Sequence, residues 1–354
     1  YIKLNTSSPA STQAMFKKTK YSFTAEGNFL KNSSNLTSTF ESSTTSFNYK
    51  DLDDFGINAT TTKNMYKDAS MESLDFSKSN FEKLTNTEGM YENFTQDYWS
   101  RDKFNLPTAK SPIKLTNMAR MFANFKREIP LDLSAFNTEN VTDMSYLFGS
   151  DIDQPSWKNR VNYVTKVTVG DGFITKNVTN MEGMFSNNDD LLHLNLGNKF
   201  DTRNVTNMKA MFKQMWDLEG LNLEDKFDTS KVTDMSYMFD YSDDLVTLNI
   251  GDKFDTHSVV NMEYMFASTP YLKAIDFKGK LDTHKVTNMD HMFYASGIKT
   301  LDLGMNFNTS VVTSMASMFE SSAVKDLTFP VDMGDAPNLT NAVNMFKNCS
   351  YLNL

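Results

Sequence analysis

Two stretches of the chain set aromatic rings beside cations, an arrangement that can bind sugars and anions. Tyr98, Trp99, Arg101 and Lys103 make the first set, and Trp157, Lys158, Arg160 and Tyr163 the second. A flat ring can stack on a sugar, while a neighbouring guanidinium or ammonium pairs with sulfate or carboxylate. The competing reading is that each Trp fills a local packing gap. A third set is Asp132, Asn195, Asn222, Asn249, Asp276, Asp302 and Thr328, each lying between two apolar residues. Stacked side by side, these amides and carboxylates could hydrogen-bond sugar hydroxyls, or bond one another and keep a sheet soluble. His257 and His284 share one repeat position, with Ser230 and Arg203 at the same step before them. Such a column would gain charge as pH falls through about 6.5. The pairs Asp189-Asp190 and Asp243-Asp244 match no calcium loop and read as solvated loop carboxylates.

Other chemistry is not spelled out. The chain has no H-E-x-x-H, Walker A, G-x-S-x-G or G-x-G-x-x-G motif, and its four histidines are dispersed. The expectation is a protein that is not an enzyme and needs no cofactor or metal. One cysteine, Cys349, excludes a disulfide framework within the chain. The net charge of −9 disfavours nucleic acid as partner. No apolar run reaches the roughly 18 residues of a membrane span. The 44 carboxylates outnumber the 35 Lys and Arg, so acid removes the negative charge and the surface nears neutrality at about pH 4. That predicts anionic-glycan binding that is weak at neutral pH and appears in acid; the alternative is that the acidity serves solubility alone. Sequons such as Asn204-Val205-Thr206 recur as a by-product of the repeat.

What must position these residues is a repeat. A Met-Phe step places Phe at 185, 212, 239, 266, 293, 319 and 346, with gaps of 27, 27, 27, 27, 26 and 27. Upstream the same position reads Phe16, Phe40, Tyr66, Tyr91, Phe122 and Phe148, with looser spacing. Insertions before Phe122 and Phe185 carry the two aromatic sets, and insertions in a stacked repeat map to loops on one face. The spacing gives about thirteen units. In V-T-D-M-S-Y-M-F from Val232, apolar residues fall at helical intervals, and Thr179-Glu182 and Thr287-Asp290 resemble capping boxes. In L-x-x-L-x-L, as at Leu245, Leu248 and Ile250, alternation predicts a short strand. One strand and one helix cannot bury an apolar face alone, so the units must stack, with strands parallel. The Met-Phe positions are then core. The organisation expected is one α/β repeat domain over 1–354, with degenerate repeats over 1–114 and regular ones over 115–354, and an insertion near 149–172. The ends, Tyr1-Ile2-Lys3-Leu4-Asn5 and Tyr351-Leu352-Asn353-Leu354, both read as repeat strand, so the chain is expected to be a piece of a longer protein.

FDTSKVTDMSYMF from Phe227, FNTENVTDMSYLF from Phe136 and K-N-C-S-Y-L around Cys349 carry a resemblance. The chain resembles the BspA-type leucine-rich repeats of bacterial surface proteins, in the F-D-T-S-x-V-T-x-M-x-x-M-F subfamily of lactobacilli, other low-GC Gram-positive bacteria and mycoplasmas. The match is strong from about residue 115 and looser before it. Ser242, Thr269 and Ser296 replace the family's cysteine elsewhere. The resemblance implies a right-handed solenoid with a concave parallel sheet and convex helices. It also implies wall-anchored display at the cell surface and adhesion to host epithelium, matrix or glycans. The function expected is an adhesin binding host or dietary polysaccharide, with a protein-binding adhesin and a structural stalk as alternatives. A monomer is expected.

Overall fold

In the computed structural model, the described residues are 10–20, 23–25, 30–45, 47–49, 56–71, 74–77, 79–96, 104–106, 113–126, 131–133, 136–151, 166–170 and 172–353. They fall into two compact units, each built of parallel β-solenoid coils. One comprises Tyr1–Asn177 with His193–Phe200, the other Val178–Leu192 with Asp201–Leu354.

Every named strand pair is parallel and in register. In the first unit, Lys166–Thr168 lies between Leu131–Asp132 and His193–Asn195. In the second, Gly220–Asn222 pairs with Thr247–Asn249, and Thr300–Asp302 with Asp326–Thr328. The strands are two or three residues long and pair in groups of two or three, so the described sheet is not one ladder running through thirteen units.

The expected helices are absent from the described residues, whose only helical element is a 3-10 turn at Glu224–Lys226. The segment from Met235 shows what replaces them. Met238, Asp240 and Ser242 donate N–H to the carbonyls of Met235, Tyr237 and Phe239, three residues back. Between these, Met235, Tyr237, Phe239 and Tyr241 donate to Asn261, Glu263, Met265 and Ala267 of the next coil, at 2.8–3.1 Å. Alternate amides thus close tight turns and bond the neighbouring coil. Tyr237 and Tyr241 take left-handed φ values of 60° and 56°, at the third position of their turns, as a type II turn requires. The first unit repeats the device at Asn64 and Asp68, which donate to Glu88 and Glu92. The capping boxes fail with the helix. Thr287 bonds the Val260 carbonyl of the preceding coil, and the residue after Thr179, Asn180, accepts the Glu182 N–H in a side-chain turn.

The repeated F-D-T has a separate role. Thr229, Thr256 and Thr283 are buried, and each hydroxyl donates to a carbonyl of the next coil, those of Asp255, Asp282 and Asn308, at 2.7–2.8 Å. Each also accepts the N–H of that same residue. A threonine side chain therefore bridges coils, beside backbone bonds such as those from Thr229 to Lys253 and Thr283 to Asn306.

Val, Met and Phe columns fill the core. Met181, Met184, Met208, Met211, Met235, Met238, Met262 and Met265 are all fully buried. Phe185, Phe212, Phe239, Phe266, Phe293, Phe319 and Phe346 stack face to face with centroids 5.4–5.7 Å apart. The looser column in the first unit stacks likewise, from Phe16 through Phe40, Tyr66, Tyr91 and Phe122 to Phe148. Tyr1–Asn5 lies outside the described residues, and Tyr351–Asn353 is not assigned as strand, although the Asn353 N–H bonds the Lys325 carbonyl.

Candidate functional site

Strand register decides where the polar column goes. Alternation buries Leu221 and Leu301 and turns Asn222, Asn249 and Asp302 outward, with Asp276 likewise exposed. Asn222 sits beside Asn249, and Asp302 beside Thr328. A bridge from Ala274 to Thr300 brings the segment carrying Asp276 alongside that carrying Asp302. In the first unit Thr168 lies between Asp132 and Asn195.

Five of these side chains bond their own backbone. Each oxygen accepts the N–H two residues on: Asn195 from Gly197, Asn222 from Glu224, Asn249 from Gly251, Asp276 from Lys278 and Asp302 from Gly304, at 2.7–3.3 Å. Such local turns are characteristic of Asn and Asp. They hold each head group in place, and the Asn222 amide also donates to Glu224 Oε1 at 3.2 Å. Gly251 follows because its φ is 74° and a Cβ there would meet the Glu224 carbonyl at 1.9 Å.

Tyr98, Trp99, Arg101 and Lys103 fall outside the described residues, as do Trp157, Lys158, Arg160 and Tyr163. His257 and His284 are exposed, but each ring is engaged by its own coil. Their Nδ1 atoms lie 3.0 and 2.8 Å from Asp255 and Asp282, and Arg203 pairs with Asp201 at 2.7 Å. Burial raises the Asp282 carboxyl pKa, but the His284 N–H and ring outweigh it and leave the carboxyl below its ordinary value. One of the two acidic pairs differs from expectation, while in the other Asp244 is exposed and Asp243 half-buried. Asp189 and Asp190 are 4% and 9% exposed, buried rather than solvated. Asp243 is pushed up by burial and by the Asp244 charge beside it. Among the described residues no group of three or more His, Cys, Asp or Glu is placed to hold a metal. Nor is any helix long and apolar enough to cross a membrane.

Two surface features went unread in the sequence. Tyr237, Tyr264 and His291 form an outward stack with centroids 5.0 and 4.3 Å apart, and the Lys213 ammonium lies over the Tyr237 ring. Burial and the Glu263 carboxylate raise both tyrosine pKa values. All three residues sit at the left-handed turn position, which points them out of the core. The second feature is a column of Lys273, Lys299 and Lys325, exposed in successive coils. Its signal was present in L-K-A-I, I-K-T-L and V-K-D-L, where a lysine precedes the last strand residues of three units in a row.

Residues 102–168, 160–277 and 274–354 each match one family model, described as Mycoplasma protein of unknown function, DUF285. The chain belongs to the DUF285 family. Three successive matches make the family's signature a repeated one, and the DUF285 segment includes every exposed strand side chain described above. No curated protein and no solved structure matches the chain.

Proposed function

We propose that this DUF285 chain is part of a bacterial surface adhesin, displayed outside the cell and wall-anchored in the full-length protein, that binds host or dietary polysaccharide along its exposed strand column. The observation behind this reading is the row of outward amides and carboxylates at Asn222, Asn249, Asp276 and Asp302, each fixed by its own turn. Fixed polar groups lose little freedom on binding, which favours hydroxyl-rich ligands that make many weak hydrogen bonds. The resemblance to BspA-type leucine-rich repeats supports surface display. In this reading the unit count of about thirteen is that of the leucine-rich-repeat solenoid, and the rings and cations of the two insertions supplement the column.

A glycan array probed with the chain at about pH 4 and pH 7 tests it, given the carboxylate excess. Binding that weakens in Asn222→Ala with Asn249→Ala, or in Trp99→Ala with Trp157→Ala, is the expected result. An array that stays blank at both pH values overturns it. Equal binding at both removes the pH dependence alone.

The second reading, a protein-binding adhesin for an epithelial receptor or matrix protein, draws on the Tyr237–Tyr264–His291 stack. Tyrosines are enriched at protein interfaces, and those of the stack are half-buried, with one side left to solvent. Loss of receptor binding in Tyr264→Ser, with the array blank, would favour it. A stalk would bind neither.

A further inference from the structure

Lys273, Lys299 and Lys325 occupy one position in three successive coils. Lys299 N–H bonds the Lys273 carbonyl at 3.2 Å and Lys325 N–H bonds the Lys299 carbonyl at 2.8 Å, so the residues are direct neighbours across the ladder. Coils bonded this way advance by about 4.8 Å. Each lysine follows a core residue, Leu272, Ile298 or Val324, which fixes where its backbone emerges. All three are exposed, and none makes an ion pair among the described residues. Lysines nearby behave otherwise, Lys278 pairing with Asp252 and Lys347 with Glu320.

Three like charges at one-coil spacing repel one another, and core packing gives no reason for them. The equivalent positions in the preceding coils are Leu192, Glu219 and Val246, so the fold does not require lysine there. Tyr271, 57% exposed, stands two residues before Lys273, and the corresponding place in the next coil is small, at Gly297. A Cβ at Gly297 would meet the Pro270 carbonyl at 2.0 Å, so that place cannot fill with a side chain without moving the loop that holds Tyr271. The loop backbone thus packs directly on Gly297 and holds the exposed Tyr271 ring at the start of a row of unpaired ammonium groups.

We propose that the Lys273–Lys299–Lys325 column, with Tyr271 at its head, is a track for a linear acidic polysaccharide lying along the coil axis, one carboxylate or sulfate per coil. This rests on the glycan reading above and narrows it to the anionic class. An extended pyranose chain advances by nearly one coil per residue, and the flexible lysine stems can follow acid groups that turn about the chain axis. Asp276 and Asp302 stand three residues further along the strands, about 10 Å away. That is beyond a physiological screening length of about 8 Å, so these two do not cancel the lysines, while Asp326 beside Lys325 offsets part of the charge at that end.

The test uses the whole chain in isothermal titration against linear oligosaccharides of matched length. These are an oligogalacturonate, its methyl ester, a heparin oligosaccharide and a neutral cello-oligosaccharide, with duplex DNA as a phosphate polyanion. The expected result is that oligogalacturonate or the heparin fragment binds, with affinity falling as salt rises; which of them binds identifies carboxylate or sulfate. The combined Lys273→Ala, Lys299→Ala and Lys325→Ala variant should lose about tenfold or more in affinity, while the triple Arg variant retains binding. Matching thermal midpoints show that the fold survives. Unchanged binding by the triple Ala variant overturns the track, as does DNA bound as tightly as the saccharides. Binding of neutral glycans alone overturns the track and leaves the glycan reading standing. No glycan bound at all overturns both.

Discussion

Replacing Thr256 by Val removes a hydroxyl that works twice. It donates to the Asp282 carbonyl and accepts the Asp282 N–H, in a position closed to water. Val fills the same space and strips the Asp282 carbonyl of this donor, while the Asp282 N–H keeps the Lys280 carbonyl at 3.0 Å, so Thr256→Val should cost about 1–2 kcal/mol in urea unfolding. Ala210 illustrates the opposite case. It is buried with φ 54°, a region where a Cβ crowds the backbone, and Gly183 holds the equivalent place in the preceding coil. Ala210→Gly should therefore stabilise the chain by about 1 kcal/mol, read as a raised unfolding midpoint. The Asp282 carboxyl illustrates linkage. It titrates below its ordinary value in the folded chain, so its contribution is fully present above about pH 4 and is lost as pH falls through the lowered folded value. The stability gap between the chain and Asp282→Asn should accordingly close on acidification, as urea titrations from pH 7 downward would show.

Across an element, what was legible and what was not have separate physical causes. The Met and Phe columns could be read because burial must recur once per coil, and strands could be read at Leu245, Leu248 and Ile250 from alternation. The helix was misread because a chain of tight turns also returns Val232, Met235, Met238 and Phe239 to one face, at intervals that mimic a helical stripe. Residue type held the corrective signal. Thr233, Asp234 and Ser236 compete for backbone hydrogen bonds and are poor helix formers. The polar strand column was legible as a column, but its turns were not, since these depend on the conformation two residues on. Lys273, Lys299 and Lys325 were spelled out in sequence and passed over because they flank the apolar pattern. Ion pairs between coils were also hidden, their partners lying a whole coil apart. Glu92, its side chain 7% exposed, accepts Lys67 at 2.9 Å and Arg120 at 2.8 Å, and Arg120 continues to Asp151. Glu92→Gln should destabilise the first unit by about 2 kcal/mol, less than a fully buried pair because both cations keep contact with water. The measurement is hydrogen exchange at the amides of Tyr91 and Asn93, which should lose protection.

At the scale of the molecule, stability is built from contacts between consecutive coils, which makes each coil interchangeable in length. Removing residues 228–254 joins Phe227 to Asp255 and restores the F-D-T register with one coil fewer. That deletion should leave a folded solenoid with the same circular dichroism per residue, because a stack loses one interface and keeps the rest. A deletion of half that length should not fold, since it places turn residues where strand residues must pair. Equal behaviour of the two deletions would contradict the coil as the unit of stability.

The inter-coil bonds of this solenoid come from backbone amides and buried threonines, while the outward columns at Asn222, Tyr237 and Lys299 belong to none of its core. For the gene this means that a misaligned exchange between two copies of the repeat adds or removes whole coils, twenty-seven codons at a time in the regular region, and still encodes a chain that folds. Point changes at outward codons then alter what the surface meets while leaving the packed core intact. Length and recognition can so be inherited as separate traits, and strains of one lineage would be expected to differ in coil number and in lysine-column composition independently of one another.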